Sequence, residues 1–404
     1  MVEGPRMRAP QATSVGKPHA MERELARLPA SRAPSPDVLH RTQRKHRVAF
    51  VTIVPSPYQR DLFGALAARE DIDLSVYYLE SAAPDSPWPE KELRSFERIL
   101  PGFWVPFGGV RAHVNWQIPD FSKVDFVILS SFISFTGQLL MRNSLRGRRW
   151  LFWGERMRPQ TGMKELVQRQ LALPIEGAAG VVAIGSAAEH DYRSRFPRLR
   201  HFCIPYHCEL APFFAIQRDP NVRRPITFFF CGQMIERKGV DLLLLAFDRL
   251  IANGMDARLL LVGREAELPT FMNLVSPATR SRVQYEGFQA PECLPTYFAR
   301  SDVFILPSRH DGWGVVVNQA LASGVPIIAS DAVGAGLDYV ENGSNGVKVK
   351  AGDVDALYAA MQGLAQDSEI VRIWGIRSRG IAKALTPEAG AGKWAQVFES
   401  LAIS

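Results

Sequence analysis

Long apolar runs are missing from this chain. The longest, Val240 to Phe247, is interrupted by Asp241 and falls well short of the ~18 apolar residues a membrane-spanning helix needs. The first residues carry charges but no apolar stretch of the kind a secretory signal has. Cysteine is scarce: Cys203, Cys208, Cys231 and Cys293 are all there are. None forms a C-x-x-C pair and no histidine spacing matches a zinc site, so a metal-stapled or disulfide-stapled scaffold is excluded. Few cysteines in a long chain fit a reducing cytoplasm, with the thiols free and buried. No G-x-G-x-x-G follows the first strand-like run, Val48 to Val54, which argues against a dinucleotide-dependent oxidoreductase. The two D-x-D strings, Asp71-Ile72-Asp73 and Asp353-Val354-Asp355, fall at a strand start and a helix cap rather than after a strand. Neither reads as a metal site, and no metal is expected.

Charge of one sign is also lacking over most of the chain. The formal net charge is +7, but residues 1–47 hold ten basic and four acidic groups and no aromatic residue. The remaining 357 residues carry 38 basic and 37 acidic groups. The folded part is therefore near neutral, and no nucleic-acid partner is implied. Residues 1–46, rich in Pro, Ala, Ser and Arg, read as a disordered basic tail. A solvated leader, which could even start at Met21, is one reading of it. A weak electrostatic tether to anionic lipid at the inner face of the membrane is the other.

What the chain does have is a repeated alternation. Apolar, β-branched runs at Val48–Val54, Leu74–Leu79, Val124–Leu129, Trp150–Trp153 and Val181–Ile184 read as buried parallel strands. Helical spacing follows near Leu62–Ala67, Gly137–Met141, Lys164–Leu173 and Ser186–Phe196. Residues 206–224, with Pro212 and Pro220, break the rhythm and read as a linker. Strands then resume at Ile226–Cys231, Leu259–Val262, Val283–Tyr285, Val303–Leu306 and Val325–Ala329. Asp353 caps a helix, and Ile370 to Leu401 is helical apart from a break at Pro387. The fold class is α/β, with two Rossmann-like doubly wound parallel-sheet domains, 47–205 and 225–367, facing each other across a cleft. A C-terminal helical stretch, 368–404, packs back toward the first domain. Open α/β sheets bind ligands at the carboxyl ends of their strands, so the cleft is the expected site.

Two segments there can carry chemistry. Gly232-Gln233-Met234-Ile235-Glu236-Arg237-Lys238-Gly239 joins a strand to the helix opening at Val240. Glycine permits close backbone approach, the helix end offers free N–H groups, and Arg237 and Lys238 add cations that are frustrated there unless an anion meets them. That fits a phosphate site; an ordinary turn with solvated charges fits equally. The second segment, Ser308 to Gly324, places Asp311 before Gly312, Trp313 and Gly314 and then opens an apolar helix containing Gln319. A carboxylate beside glycine amides can hold sugar hydroxyls and phosphate oxygens; a helix cap by Asp311 over a core Trp313 is the alternative.

Taken together these segments resemble the donor domain of the family 4 retaining glycosyltransferases, which have the GT-B fold. The family pattern G-R-x4-K-G meets Gly232 to Gly239, and its E-G-F-G-x4-E-A-x-A-x-G-x-P stretch meets Asp311 to Pro326 at the same spacing. Val262-Gly263, Val283 to Phe288, Ser301 to Ser308, Gly343 to Val347 and Gly352-Asp353 follow in family order. The resemblance covers the second half; the first half matches in architecture alone. It implies a metal-independent transfer of a sugar, with retention, from a UDP- or GDP-linked donor to a glycan or lipid-linked acceptor. It implies no other cofactor, and it implies a cytoplasmic site of action. Lys238 would contact the donor diphosphate, Asp311 the donor sugar, Gln319 the ribose and Phe288 the base. Three positions depart from the pattern: Gln233 replaces arginine, Gln319 replaces glutamate, and Asp311 is one methylene shorter. Arg237 or Arg264 would then supply the cation missing at Gln233.

On the first domain, Ser56-Pro57-Tyr58 follows the first strand and would meet the acceptor. Glu155 stands at the end of the strand Trp150–Trp153, where many family members carry a histidine. It is either a site residue or a partner of Arg156 or Arg158. A non-catalytic nucleotide-sugar-binding module and another GT-B activity, such as a phosphorylase or an epimerase, are the alternatives to transfer.

Overall fold

The structure, a computed structural model, describes residues 45–82, 92–107, 110–218 and 225–403. The tail expected over 1–46 lies outside them as far as residue 44, as does the 219–224 end of the linker.

Fifteen strands are present among the described residues: β1 (His46–Thr52), β2 (Ile72–Tyr78), β3 (Glu97–Ile99), β4 (Gly102–Phe107), β5 (Val110–Asn115), β6 (Phe126–Leu129), β7 (Trp150–Gly154), β8 (Gly180–Ala183), β9 (Arg200–Cys203), β10 (Ile226–Cys231), β11 (Ala257–Val262), β12 (Val283–Tyr285), β13 (Val303–Leu306), β14 (Ile327–Ser330) and β15 (Gly346–Val349). Two separate parallel sheets result. The first runs β3-β2-β1-β6-β7-β8-β9 and the second β12-β11-β10-β13-β14-β15. In each, the chain starts near the middle, works to one edge, then returns to build the other. That reversal leaves a crevice at the carboxyl ends of β1 and β10. The antiparallel hairpin β4-β5 stands apart from both sheets.

Burial explains the strand choice. β6, β7, β8, β13 and β14 are buried along their whole length, as parallel strands covered on both faces must be. Val48 and Phe50 of β1 face one core and Ala49 and Val51 face the other, following the two-residue period of a strand. The first of these cores runs on through Tyr206, Leu210 and Phe213 into the second sheet. Helix Pro387–Ala402 also joins it. Trp394 packs edge-on against Phe50 at 5.1 Å and Trp153 at 5.8 Å, and Phe398 stacks on Phe126 at 5.1 Å. The preceding helix, Ser368–Ala382, lies instead against the second lobe: Arg379 covers Gly324, and a Cβ on Gly375 would meet the Gly324 carbonyl.

The cysteines are free, but they are not uniformly buried as expected. Cys208 is buried, Cys203 and Cys231 are half-buried, and Cys293 is exposed. The Asp71 carboxylate pairs with Arg69 at 2.8 Å, and Asp353 accepts a hydrogen bond from the Ala356 N–H. Both D-x-D strings are thus engaged in local structure.

Candidate functional site

The strand ends converge on one cavity of about 580 Å³ between the two sheets. Pro57, Tyr58 and Glu155 line it from the first lobe. Gly232, Gln233, Arg237, Lys238, Arg264, Phe288, Asp311, Trp313, Gly314 and Gln319 line it from the second. Of the positions singled out from sequence, Ser56, Gly239 and Gly312 are the ones not on its wall.

The second lobe supplies the rigid part. After β10 the chain makes a single 3-10 turn, Glu236–Lys238, then enters helix Val240–Ala252 through Gly239 at φ 72°. That left-handed geometry suits glycine. A Cβ there would also lie 2.2 Å from the Pro307 carbonyl oxygen. The close approach lays the turn against the 308–311 loop. Arg309 fastens the two: its backbone N–H donates to the Arg237 carbonyl at 2.8 Å, and its guanidinium grips Asp241 through two bonds of 2.7 and 2.6 Å. Arg237 reaches back to the His310 carbonyl at 3.1 Å.

The consequence is a close ion pair. Lys238 Nζ lies 2.5 Å from Asp311 Oδ2, with side-chain exposures of 17% and 11%. The two residues are 73 positions apart in sequence. The cationic frustration expected at this helix end is therefore met within the protein, by Asp311 and by Asp241 in the first helical turn. Asp311 does not cap the helix Val316–Ala322; Val315 holds that position. Instead the Asp311 backbone pairs with the 332–334 loop, its N–H donating to Ala332 and its carbonyl accepting from Gly334. Trp313 is 1% exposed and packs edge-on against Tyr339 at 5.5 Å. It is mainly a core residue, with one edge at the cavity.

Glu155 faces this pair from the first lobe. A Cβ on Gly312 would lie 2.2 Å from Glu155 Oε2, so the bare glycine leaves room for the carboxylate. Of the alternative partners, Arg156 pairs instead with Asp191 at 3.1 Å. Burial and the nearby charge of Asp311 raise the Glu155 carboxyl above its usual range, against a hydrogen bond with Tyr206 and the charges of Lys238 and Arg237. The same burial and the Glu155 charge raise the Tyr206 and Tyr58 hydroxyls. The Tyr58 and Tyr206 rings meet edge-on at 4.8 Å.

Tyr206 is the site residue that sequence reasoning missed. It follows β9 (Arg200–Cys203), a strand whose polar start gave no apolar run to read. Without that strand, Tyr206 fell in the linker. Ser56 is buried behind Tyr58 at the start of helix Pro57–Ala67. Phe288 is 39% exposed at the cavity mouth, and Gln319 lies on the helix behind Asp311. Among the described residues no three His, Cys, Asp or Glu side chains are grouped as a metal site.

Comparison with known proteins places the second lobe first. Residues 225–367 match the family model described as Glycosyl transferases group 1. The chain is 32% identical over 157 residues to a GDP-mannose-dependent alpha-(1-6)-phosphatidylinositol monomannoside mannosyltransferase of Mycolicibacterium smegmatis, covering 37% of this chain and 41% of that protein. It is 28% identical over 231 residues to an alpha-maltose-1-phosphate synthase of the same organism, covering 51% and 58%. The chain thus spans about two fifths and three fifths of the length of these two relatives. Among solved structures, a sucrose-phosphate synthase from Thermosynechococcus elongatus superimposes with a TM-score of 0.70 at 21% identity, covering 89% of this chain and all of that one. HepE of Anabaena, solved with UDP and glucose, gives 0.64 at 14% identity, covering 88% and 100%. These likenesses extend across both sheets, and the fold is GT-B.

Proposed function

We propose that the protein is a glycosyltransferase that moves a sugar from a nucleoside-diphosphate donor, UDP- or GDP-linked, to a hydroxyl acceptor with retention of configuration. The observation that carries this reading is the Lys238–Asp311 pair on the cleft floor with Glu155 opposite. The family match of residues 225–367 supports it. Lys238, Arg237 and Arg264 meet the diphosphate with the N-terminus of helix Val240–Ala252. Asp311 holds the donor sugar, Gln319 the ribose and the Phe288 loop the base. Glu155, Pro57 and Tyr58 form the acceptor side, with Ser56 buried beneath Tyr58, and it takes a glycan or a lipid-linked glycan in the cytoplasm.

The chemistry needs no metal. As the anomeric C–O bond to phosphate breaks, charge grows on the leaving diphosphate, and Lys238 is placed to stabilise it. The diphosphate oxygen on the same face accepts the acceptor hydroxyl proton as the new C–O bond forms, which retains the configuration. The protein's part is positioning and electrostatics. Incubation with a panel of UDP- and GDP-sugars, with proton NMR of the first product, tests this. An inverted anomeric signal rejects retention.

A second reading, a nucleotide-sugar-binding module without turnover, is favoured by the neutral Gln233 and Gln319. Nucleotide binding with no transfer and no donor hydrolysis across the panel selects it. Under the transfer reading, Gln233→Arg tightens nucleoside diphosphate binding by restoring a cation.

A further inference from the structure

Helix Met163–Ala172 is attached to the rest of the protein almost without burial. Ala172 is its one buried residue. Met163, Leu166 and Val167 are 73%, 55% and 38% exposed. At ~100° per residue, these three share one face, and Ala172 lies about half a turn away from Met163. Met163, Leu166 and Val167 therefore point away from the protein, while Leu171 and Ala172 hold the helix to the core. It does not stand alone. Gln138 donates to the Leu171 carbonyl at 2.7 Å, bringing helix Phe135–Leu139 alongside. Phe135 and Leu139 are 49% and 46% exposed, and Leu173 is 44% exposed.

Charge says what covers this face. Residues 142–169 contain eight arginine and lysine residues against two carboxylates, Glu155 and Glu165. One of those carboxylates, Glu155, is turned into the cleft. Within a folded part close to neutral overall, this segment of sequence is net basic, and of its cations Arg156 is paired with Asp191. Exposed apolar side chains beside Arg142, Lys164 and Arg169 match the interfacial helix pattern, apolar toward the acyl boundary and cationic toward headgroups. Residues 1–47 are themselves net basic, so charge gives them no attraction to it.

We propose that this face docks on an anionic lipid surface. It lies on the lobe that carries Glu155, and seven residues of chain lie between Glu155 and Met163. Docking here sets the acceptor side of the cleft beside the headgroups. The inference does not rest on transfer activity, since binding to lipid is read directly.

The test is co-sedimentation of the full chain with vesicles of phosphatidylcholine alone or with 30% phosphatidylglycerol. Binding is expected to the anionic vesicles only. Met163→Ser/Leu166→Ser/Val167→Ser should abolish it. Arg142→Gln/Lys164→Gln/Arg169→Gln should weaken it roughly a hundredfold, at about tenfold or less per charge. Unchanged thermal melting and unchanged nucleoside diphosphate binding show that both variants are folded. A chain lacking residues 1–44 should bind as the full one does. The proposal is overturned by equal binding to neutral vesicles, by loss of binding on deleting residues 1–44 alone, or by no binding at all. It is also overturned if the chain is a dimer that the serine variant dissociates, which assigns the face to a second copy.

Discussion

The ion pair on the cleft floor makes an unusual demand on donor binding. Lys238 is the cation assigned to the diphosphate, yet it already holds Asp311 at 2.5 Å. A diphosphate must therefore compete with a carboxylate for the same ammonium. Exposed pairs contribute about 0.2–1 kcal/mol, and hydrogen bonds to charged groups about 1.5–3 kcal/mol. With both side chains mostly covered but reachable from the cavity, about 1 kcal/mol is a fair figure for what the ligand displaces. Asp311→Asn removes that competition. UDP or GDP, whichever binds the wild type, should then bind about fivefold tighter. Turnover should fall at the same time, since Asp311 is assigned to orient the sugar and misplacement of ~1 Å can cost about a hundredfold. Lys238→Ala should weaken nucleotide binding by roughly ten- to hundredfold. In that background Asp311→Asn should no longer tighten binding, because nothing remains to be released. Titration calorimetry on the wild type, the two single variants and the double variant reads all four corners. If Asp311→Asn weakens nucleotide binding in the wild-type background, Asp311 is a binding contact and the competition argument fails.

Three further outcomes follow from the same geometry. Chelation with EDTA should leave transfer activity intact; full loss that manganese restores refutes the metal-free reading. His207 is buried, and burial with the nearby Lys393 charge depresses its pKa to about 4 from 6.5. The unfolded chain then takes up a proton that the folded one refuses. This stability is present above pH ~6.5 and is lost as pH falls toward 4, by about 3 kcal/mol. His207→Asn should remove most of that acid-side loss in urea titrations at pH 7.5 and 4; an identical loss in both proteins rejects it. For Glu155 the sign is opposite. Its raised pKa means the folded state pays for ionisation as pH rises through the folded value. Glu155→Gln should thus raise the melting temperature at pH 7.5 by more than at pH 4.5, and the reverse order refutes the assignment.

The parts of the fold legible in the sequence were those where one physical signal acts alone. Central parallel strands are buried on both faces, so β10 and β13 appeared as apolar runs with the same bounds the structure shows. The edge strand β12 was still legible as Val283–Tyr285, but the edge strands of the first sheet lack that signal. β3 is Glu-Arg-Ile and β9 Arg-His-Phe-Cys, and neither has a run to read. The β4-β5 hairpin carries Pro106 and pairs outside both sheets. At the site, spacing around glycines identified the two second-lobe segments because the backbone geometry there is local. The contacts between them are not local. Nothing in the order of residues states that Lys238 meets Asp311, or that Tyr206 meets Glu155 from a segment read as a linker.

The return of helix Pro387–Ala402 to the first lobe has a consequence for biosynthesis. Phe50, Phe126 and Trp153 are made early but find Trp394 and Phe398 only when translation has passed the second lobe. At ~5–20 residues per second, the stretch from residue 216 to 402 takes about ten to forty seconds to synthesise. Through that interval the nascent first lobe presents an aromatic surface with no cover of its own. The half synthesised first thus receives its last core residues from the end of the chain. A chain that ends in the 383–386 connection holds every strand of both sheets but neither Trp394 nor Phe398, so the aromatic face of its first lobe stays uncovered.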